Sequence, residues 1–322
     1  MYKIIYRVFH VTGFKKLVQG DGAVKNTVLT ALAEVIGTSM LVFIGCMGCV
    51  GSLGVVPSHF QIALTFGLAV MIVIQSVGHI SVAHVNPAIT VGSVVLGLKT
   101  IPEGFIYLLS QTIGGILGFG MLKMVTPTGH LTSKTVNESD MFCVTDLHSE
   151  LSAIQGLVLE GISTAILMLV ACAVWDNRNA RNTDSVPIRF GLTVAALALA
   201  FGPYTGCSMN PARSLAPALW NNQWSHHWIY WFGPIGGALL SSYMYKTIFG
   251  VSEYTQEEPV AEAVALNSVA TQKAEVCLFV SCCISAFGFQ DLVSSLHSSI
   301  LAFSTFSIFY CLQYLQFVFP VV

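Results

Sequence analysis

HVNPAIT (residues 84–90) and SMNPARS (residues 208–214) carry the same tripeptide, Asn-Pro-Ala, beginning at Asn86 and at Asn210. Each copy opens a short apolar stretch, 86–97 and 210–220, of about eleven residues, roughly 16 Å long as helix. Neither can cross a hydrocarbon core of about 30 Å alone. Two half-helices entering from opposite faces would together match that thickness, with their N-termini meeting near the midplane. Pro87 and Pro211 suit the first helical turn, where a missing N–H costs nothing, and Asn86 and Asn210 suit the N-cap. Ala88 and Ala212 complete the two motifs. The tandem predicts a pair of helix starts that face each other.

An offset of about 125 residues separates the motifs and recurs outside them. It relates AEVIGTSMLVFIG to LEGISTAILMLVA, each with a Glu (Glu34, Glu160) early in an apolar run, and QTIGGILG to GPIGGALL. Apolar runs long enough to span recur near 28–50, 60–80, 103–124, 151–174, 188–204 and 227–249. Three spans per repeat is an odd number of crossings, so the halves lie in opposite orientations, an inverted repeat. The expected fold class is an all-α membrane protein of six transmembrane helices plus two half-helices. Residues 1–27 form an N-terminal segment, 28–250 the membrane domain with repeats about 28–124 and 151–249, and 251–322 a tail with an unexplained apolar segment.

Composition agrees. Hydrophobic residues make up 54% of the 322 positions and charged ones 9%, against roughly 25% charged in an ordinary soluble domain. A mean hydropathy of +0.72 makes lipid the solvent for most side chains. A formal net charge of −2 without a basic stripe gives no footprint for nucleic acid. The nine cysteines are scattered and are expected to be mostly packing residues; no metal and no cofactor is expected.

The N-terminal segment is basic (Lys3, Arg7, Lys15, Lys16, Lys25) but lacks the apolar core and cleavage site of a signal peptide. Arg178 and Arg181 make the 175–187 loop basic too, while 51–59 has neither Lys nor Arg. The positive-inside rule then places the N-terminus, the 175–187 loop and the start of the tail in the cytoplasm. Loop 125–150 becomes extracellular, and within it Asn137-Glu138-Ser139 is a candidate glycosylation acceptor. Trp175, Trp220, Trp224, Trp228 and Trp231 fall near span ends, where amphipathic rings settle at headgroups.

Facing helix starts define a pore centre lined by two side-chain amides and flanked by two positive helix ends. A water or alcohol oxygen can accept from the amides, its hydrogens turned outward, which breaks a continuous donor chain. Positive ends oppose protons and cations, and a bare ion would lose hydration worth tens of kcal/mol in low dielectric. Neutral molecules lose far less.

From about residue 28 to 249, with two Asn-Pro-Ala motifs inside SVGHISVAHVNPAIT and YTGCSMNPARS and paired Glu in the first and fourth spans, the chain resembles the aquaporin (major intrinsic protein) family. The resemblance implies an hourglass channel, a homotetramer in the lipid bilayer, and a selectivity filter at Phe66, Ala198, Cys207 and Arg213. Arg213, one turn into the second half-helix, is a charge that should face a water-filled cavity. At Ala198 water-selective members usually carry His. A methyl in place of imidazole widens the opening and makes its wall apolar, so that a three-carbon polyol fits with CH groups against Phe66 and Ala198 and hydroxyls toward Arg213. Ser214, Ala218, Tyr230 and Trp231 instead resemble the water channels. That combination is most like the insect entomoglyceroporins.

Glu34 and Glu160 are expected to accept hydrogen bonds from the non-helical backbone before each half-helix rather than to act as acid and base. His79 and His84, near the first motif, are expected to serve through buried structural hydrogen bonds, His79 as a further support of the pore loops. A pH-sensing role is the other reading. Cys207 should face the pore mouth, where a bulky thiol reagent would plug it. Gly114, Gly118, Gly233 and Gly237 have the small-xxx-small spacing of closely packed helices. The apolar tail 276–322 fits no family pattern, and three readings stay open: a seventh span, an interfacial helix, or an alternative or misread terminus.

The expected function is a passive channel, not an enzyme. It would pass water, glycerol and, as a further candidate, urea, exclude protons and ions, and sit in the plasma membrane with its N-terminus in the cytoplasm. Two alternatives stand beside it: a strictly water-selective channel, and a family member acting mainly in adhesion with little flux.

Overall fold

The computed structural model describes residues 23–50, 55–131 and 142–250. Asn137, the tail 251–322 and the first 22 residues lie outside the described residues. Within them the chain forms eight α-helices: α1 (Ala23–Met47), α2 (His59–Ser81), α3 (Pro87–Leu96), α4 (Ile101–Val125), α5 (Ala153–Val174), α6 (Val186–Thr205), α7 (Pro211–Asn221) and α8 (Ile229–Ile248). All six expected spans appear as helices of 20–25 residues. Five are long and apolar enough to cross a membrane; α8 is long enough but carries Ser241, Ser242 and Lys246 in its second half.

Local signals set the starts. Ser58 caps α2, and capping boxes open α4 (Thr100, Glu103) and α5 (Ser152, Gln155). α1 begins several residues before the apolar run, because Lys25 and Asn26 continue the helix although neither is apolar.

The halves repeat in their packing. α1 packs on α4 as α5 packs on α8, and α2 of the first half packs on α6 of the second. The paired glycines allow the closest approaches. A side chain at Gly118 would collide with the Ser39 carbonyl of α1, and one at Gly237 with the Gly161 carbonyl of α5. Each half-helix crosses to the other repeat, α3 onto α8 and α7 onto α4. There a lysine holds its C-terminal end. Lys246 Nζ donates to Val95 O at 3.1 Å, and Lys123 Nζ donates to Trp220 O at 3.4 Å and Asn221 Oδ1 at 3.1 Å. A cation at each C-terminus complements the helix dipole and leaves the positive ends pointing inward.

Cysteine usage differs from the packing role expected of it. Cys172 and Cys207 are buried and unpaired, but Cys46 and Cys143 form a disulfide with Cα atoms 5.6 Å apart. Cys46 and Cys49 stand in C-x-x-C spacing, yet the partner of Cys46 lies 97 residues away. Only the tertiary fold brings that partner near.

Candidate pore between the two half-helices

α3 and α7 begin as the motifs predict. Asn86 and Asn210 are extended N-caps whose Oδ1 atoms accept from Ala88 N (2.9 Å) and Ala212 N (3.0 Å), with Pro87 and Pro211 in the first turn. The two starts meet through reciprocal bonds. Asn86 Nδ2 donates to Met209 O and Asn210 Nδ2 donates to Val85 O, both at 2.8 Å. Each amide nitrogen carries two hydrogens. With one engaged across the junction, the other is left for an oxygen in the cavity, which both residues line.

The approach to each start bends through left-handed backbone: Val82, Ala83 and Val85 on one side, Gly206, Cys207 and Met209 on the other. For residues other than glycine this conformation costs about 1–3 kcal/mol each. Two fully buried carboxylates hold it. Glu34 accepts from His84 N, Val85 N, Ser81 Oγ and Gln111 Nε2 at 2.6–3.0 Å. Glu160 accepts from Ser208 N, Met209 N and Thr205 Oγ1 over the same range. Neither carboxylate is among the residues that line the cavity; both are turned to the backbone of the pore loops.

His79 stands apart from this scaffold. It is exposed in the last turn of α2 and makes no side-chain hydrogen bond among the described residues. The buried face of that turn runs through Val77 and Ser81, and position 79 falls between them on the opposite side. The support expected of it comes instead from Tyr107, whose hydroxyl donates to Ser81 O at 2.7 Å, and from Gln111. His84 is buried as expected, its Nδ1 3.2 Å from Thr90 Oγ1 and its ring against Tyr107 and Trp175.

A cavity of about 500 Å³ runs past both starts, from Pro57, His59 and His130 at one mouth to Ile74, Phe190 and Trp175 at the other. Phe66, Ala198, Cys207 and Arg213 all line it. The guanidinium of Arg213 lies 4.6 Å from the Phe66 ring centroid, and its Nη1 donates to Cys143 O at 2.9 Å. Among the described residues the only ion pair is Arg178 with Asp176, so Arg213 keeps its charge without a carboxylate. Cys207 donates its thiol to Leu197 O at 3.3 Å, which turns the sulfur toward α6, beside Ala198. In the loop after α5, Arg178 holds the Asp176 carboxyl well below the usual range against the effect of burial, and Tyr245 Oη donates to Asp176 at 3.0 Å.

Sequence reasoning missed several components of the pore. A hydroxyl chain runs from Thr145 Oγ1 through Ser214 and Ser208 to Asn210 O, with steps of 2.7, 2.6 and 2.9 Å. It ties the segment after Cys143 to the second helix start. His59 lines the mouth, its Nε2 3.2 Å from Leu199 O, one residue from Ala198. Nothing in the local sequence marks either.

Comparison with known proteins agrees with this geometry. A model of the Major intrinsic protein family matches residues 23–245. Aquaporin-2 of Bos taurus is 35% identical over 217 residues, 67% of this chain and 77% of that protein. Aquaporin-4 of Mus musculus is 37% identical over 221 residues, 67% of this chain and 66% of that protein. Among solved structures, the aquaglyceroporin from Plasmodium falciparum superposes with a TM-score of 0.63 at 21% identity, covering 69% of this chain and 97% of the other. At that identity the likeness is one of fold.

Proposed function

We propose, since this chain belongs to the major intrinsic protein (aquaporin) family of multi-pass membrane channels for water and small solutes, that its pore passes water, glycerol and urea and excludes protons and ions. The observation that carries the reading is the wall formed by Phe66, Ala198, Cys207 and Arg213. Phe66 and the Ala198 methyl offer an apolar side to the CH groups of a polyol. Arg213, fixed on the Cys143 carbonyl and the Phe66 ring, offers donors to its hydroxyls. A methyl in place of a larger polar group leaves room for a third carbon.

Charge exclusion has three supports. Asn86 and Asn210 each keep one free N–H for a solute oxygen, so a water held between them presents its hydrogens outward. The α3 and α7 N-termini bring positive potential to the same place, and Arg213 adds an unpaired charge.

The same reading makes Glu34 and Glu160 the struts of the pore loops. It places the chain in the plasma membrane as a homotetramer with its N-terminus in the cytoplasm and the Arg213 mouth outside. Exposed Leu192, Phe232 and Leu240 on the outer faces of α6 and α8 suit lipid or a neighbouring protomer. Within the family, the water-channel residues Ser214, Ala218, Tyr230 and Trp231 combined with Ala198 support a reading as the entomoglyceroporin type. Swelling of vesicles containing the purified protein tests the reading, first under a water gradient and then under isotonic glycerol and urea gradients. Fast swelling is expected in each. Water flux alone would leave a strict water channel, and no flux above empty vesicles would favour an adhesive role.

A further inference from the structure

We propose that Cys46, Cys49 and Cys143 form a thiol–disulfide exchange site at the Arg213 mouth of the pore, in which Cys143 bonds to Cys46 or to Cys49 and the choice sets the carbonyl that holds Arg213. The three sulfurs are gathered by the end of α1. Cys46 lies in its last turn, fully buried, and a tight turn with Cys49 N donating to Cys46 O at 3.0 Å brings Cys49 back over it. The Cys49 sulfur then lies 3.8 Å from the Cys143 sulfur, in contact with a disulfide to which it does not belong. Cys49 is half-buried and, with Cys143, lines the cavity, so a small thiol entering the mouth reaches both.

The exchange is redox-neutral. The Cys49 thiolate attacks Cys143 Sγ, the Cys49–Cys143 bond forms, and the Cys46–Cys143 bond breaks with its electron pair leaving on Cys46 Sγ. Cys46 then takes up a proton equivalent to the one Cys49 lost. A low-molecular-weight thiol catalyses the same change through a mixed disulfide on Cys143, which Cys49 displaces.

The consequence reaches the pore because the segment that follows is tied to α7. Cys143 O accepts from Arg213, Phe142 O accepts from Asn221 Nδ2 at 3.0 Å, and Thr145 donates to Ser214. Changing the anchor of Cys143 from the end of α1 to the turn beyond it displaces the acceptor of Arg213. This goes beyond the proposed solutes, and the chemistry can be judged without any flux.

The test maps disulfide-linked peptides by mass spectrometry in the purified full chain, after acid quenching and alkylation of free thiols. Mapping is done before and after incubation at about pH 8 with less than one equivalent of reduced glutathione. The expected result is Cys46–Cys143 at the start, with Cys49–Cys143 and free Cys46 appearing together afterwards. Cys46→Ser should carry a Cys49–Cys143 bond and change the glycerol-to-water permeability ratio by about twofold or more, the low end of measured coupling between linked sites. Cys49→Ser should keep Cys46–Cys143 and show no rearrangement. Wild type that retains only Cys46–Cys143 would overturn the exchange, and this holds even if Cys46→Ser fails to fold. An exchanged bond with an unchanged permeability ratio would overturn the link to Arg213. Wild type that passes no glycerol contradicts the proposed solute and leaves the mapping to decide the exchange.

Discussion

The stretch from Ser81 to Leu96 and the stretch from Thr205 to Asn221 are built from matching components. Each has a hydroxyl residue whose carbonyl accepts from a tyrosine (Tyr107, Tyr230), and left-handed residues held by a buried Glu (Glu34, Glu160). Each also has an Asn-capped half-helix and a lysine at that helix's far end. The two diverge a single turn into the half-helix. There the first half places Ile89 against the cavity and the second places Arg213. Around Arg213 the connection between the halves adds the Cys143 carbonyl, the disulfide that ties Cys143 to α1, and Thr145, which opens the hydroxyl chain to Ser214 and Ser208. The shared components solve a structural problem, irregular backbone in the middle of a membrane. The unshared ones gather at one end of the cavity, where the proposed reading puts selectivity.

The shared components should fail alike and hardest. Glu160→Ala leaves two backbone N–H groups and the Thr205 hydroxyl without an acceptor. At about 1–3 kcal/mol for each orphaned group the loss is several kcal/mol. Little folded protein should survive size-exclusion chromatography in detergent. Glu34→Ala should match it, and a folded, conducting Glu34→Ala beside an unfolded Glu160→Ala would break the equivalence of the halves.

The unshared turn should respond differently. Arg213→Val is expected to fold and conduct water but to admit cations. An unscreened charge at about 4 Å opposes a passing cation by roughly 4 kcal/mol at an effective dielectric of 20, so a leak rising about tenfold or more is expected in vesicle current recordings. Ile89→Val should leave the leak and the solute ranking as they are. Equal leaks in the two variants would remove the functional asymmetry.

Smaller effects sharpen the comparison further. Tyr107→Phe and Tyr230→Phe each lose one buried hydrogen bond, at 2.7 and 3.0 Å, and each should lower stability by about 1 kcal/mol in thermal unfolding. Lys123→Met and Lys246→Met remove the cation at one half-helix C-terminus. Each should cost about 0.3–1 kcal/mol by the same measurement.

Much of this was legible in the sequence because the decisive information is local. Asn-Pro-Ala specifies a cap and a first turn within three residues, and its repetition at a fixed offset gives the inverted architecture. The glycine pairs show the close approaches of α4 to α1 and of α8 to α5 because a small residue every fourth position lies on one helix face. What escaped depends on encounters between distant segments. Cys46 and Cys143 are 97 residues apart, and Thr145 and Ser214 are 69 apart. The lysines that complete α3 and α7 sit on helices of the opposite repeat. His79 was misplaced for a related reason. Nearness to the motif in sequence did not put it on the face of α2 that turns toward Glu34, which belongs to Ser81.

Ala198 bears most directly on the central claim, that a methyl on the cavity wall it shares with Arg213 opens a water-channel scaffold to a three-carbon polyol. The measurement is the glycerol permeability of vesicles containing wild type or Ala198→His, normalised to water permeability in the same preparation. Glycerol flux is expected in wild type, with a fall of about tenfold or more in Ala198→His and water flux preserved. Glycerol flux that is equal in both proteins, or absent from the wild type, would contradict the claim.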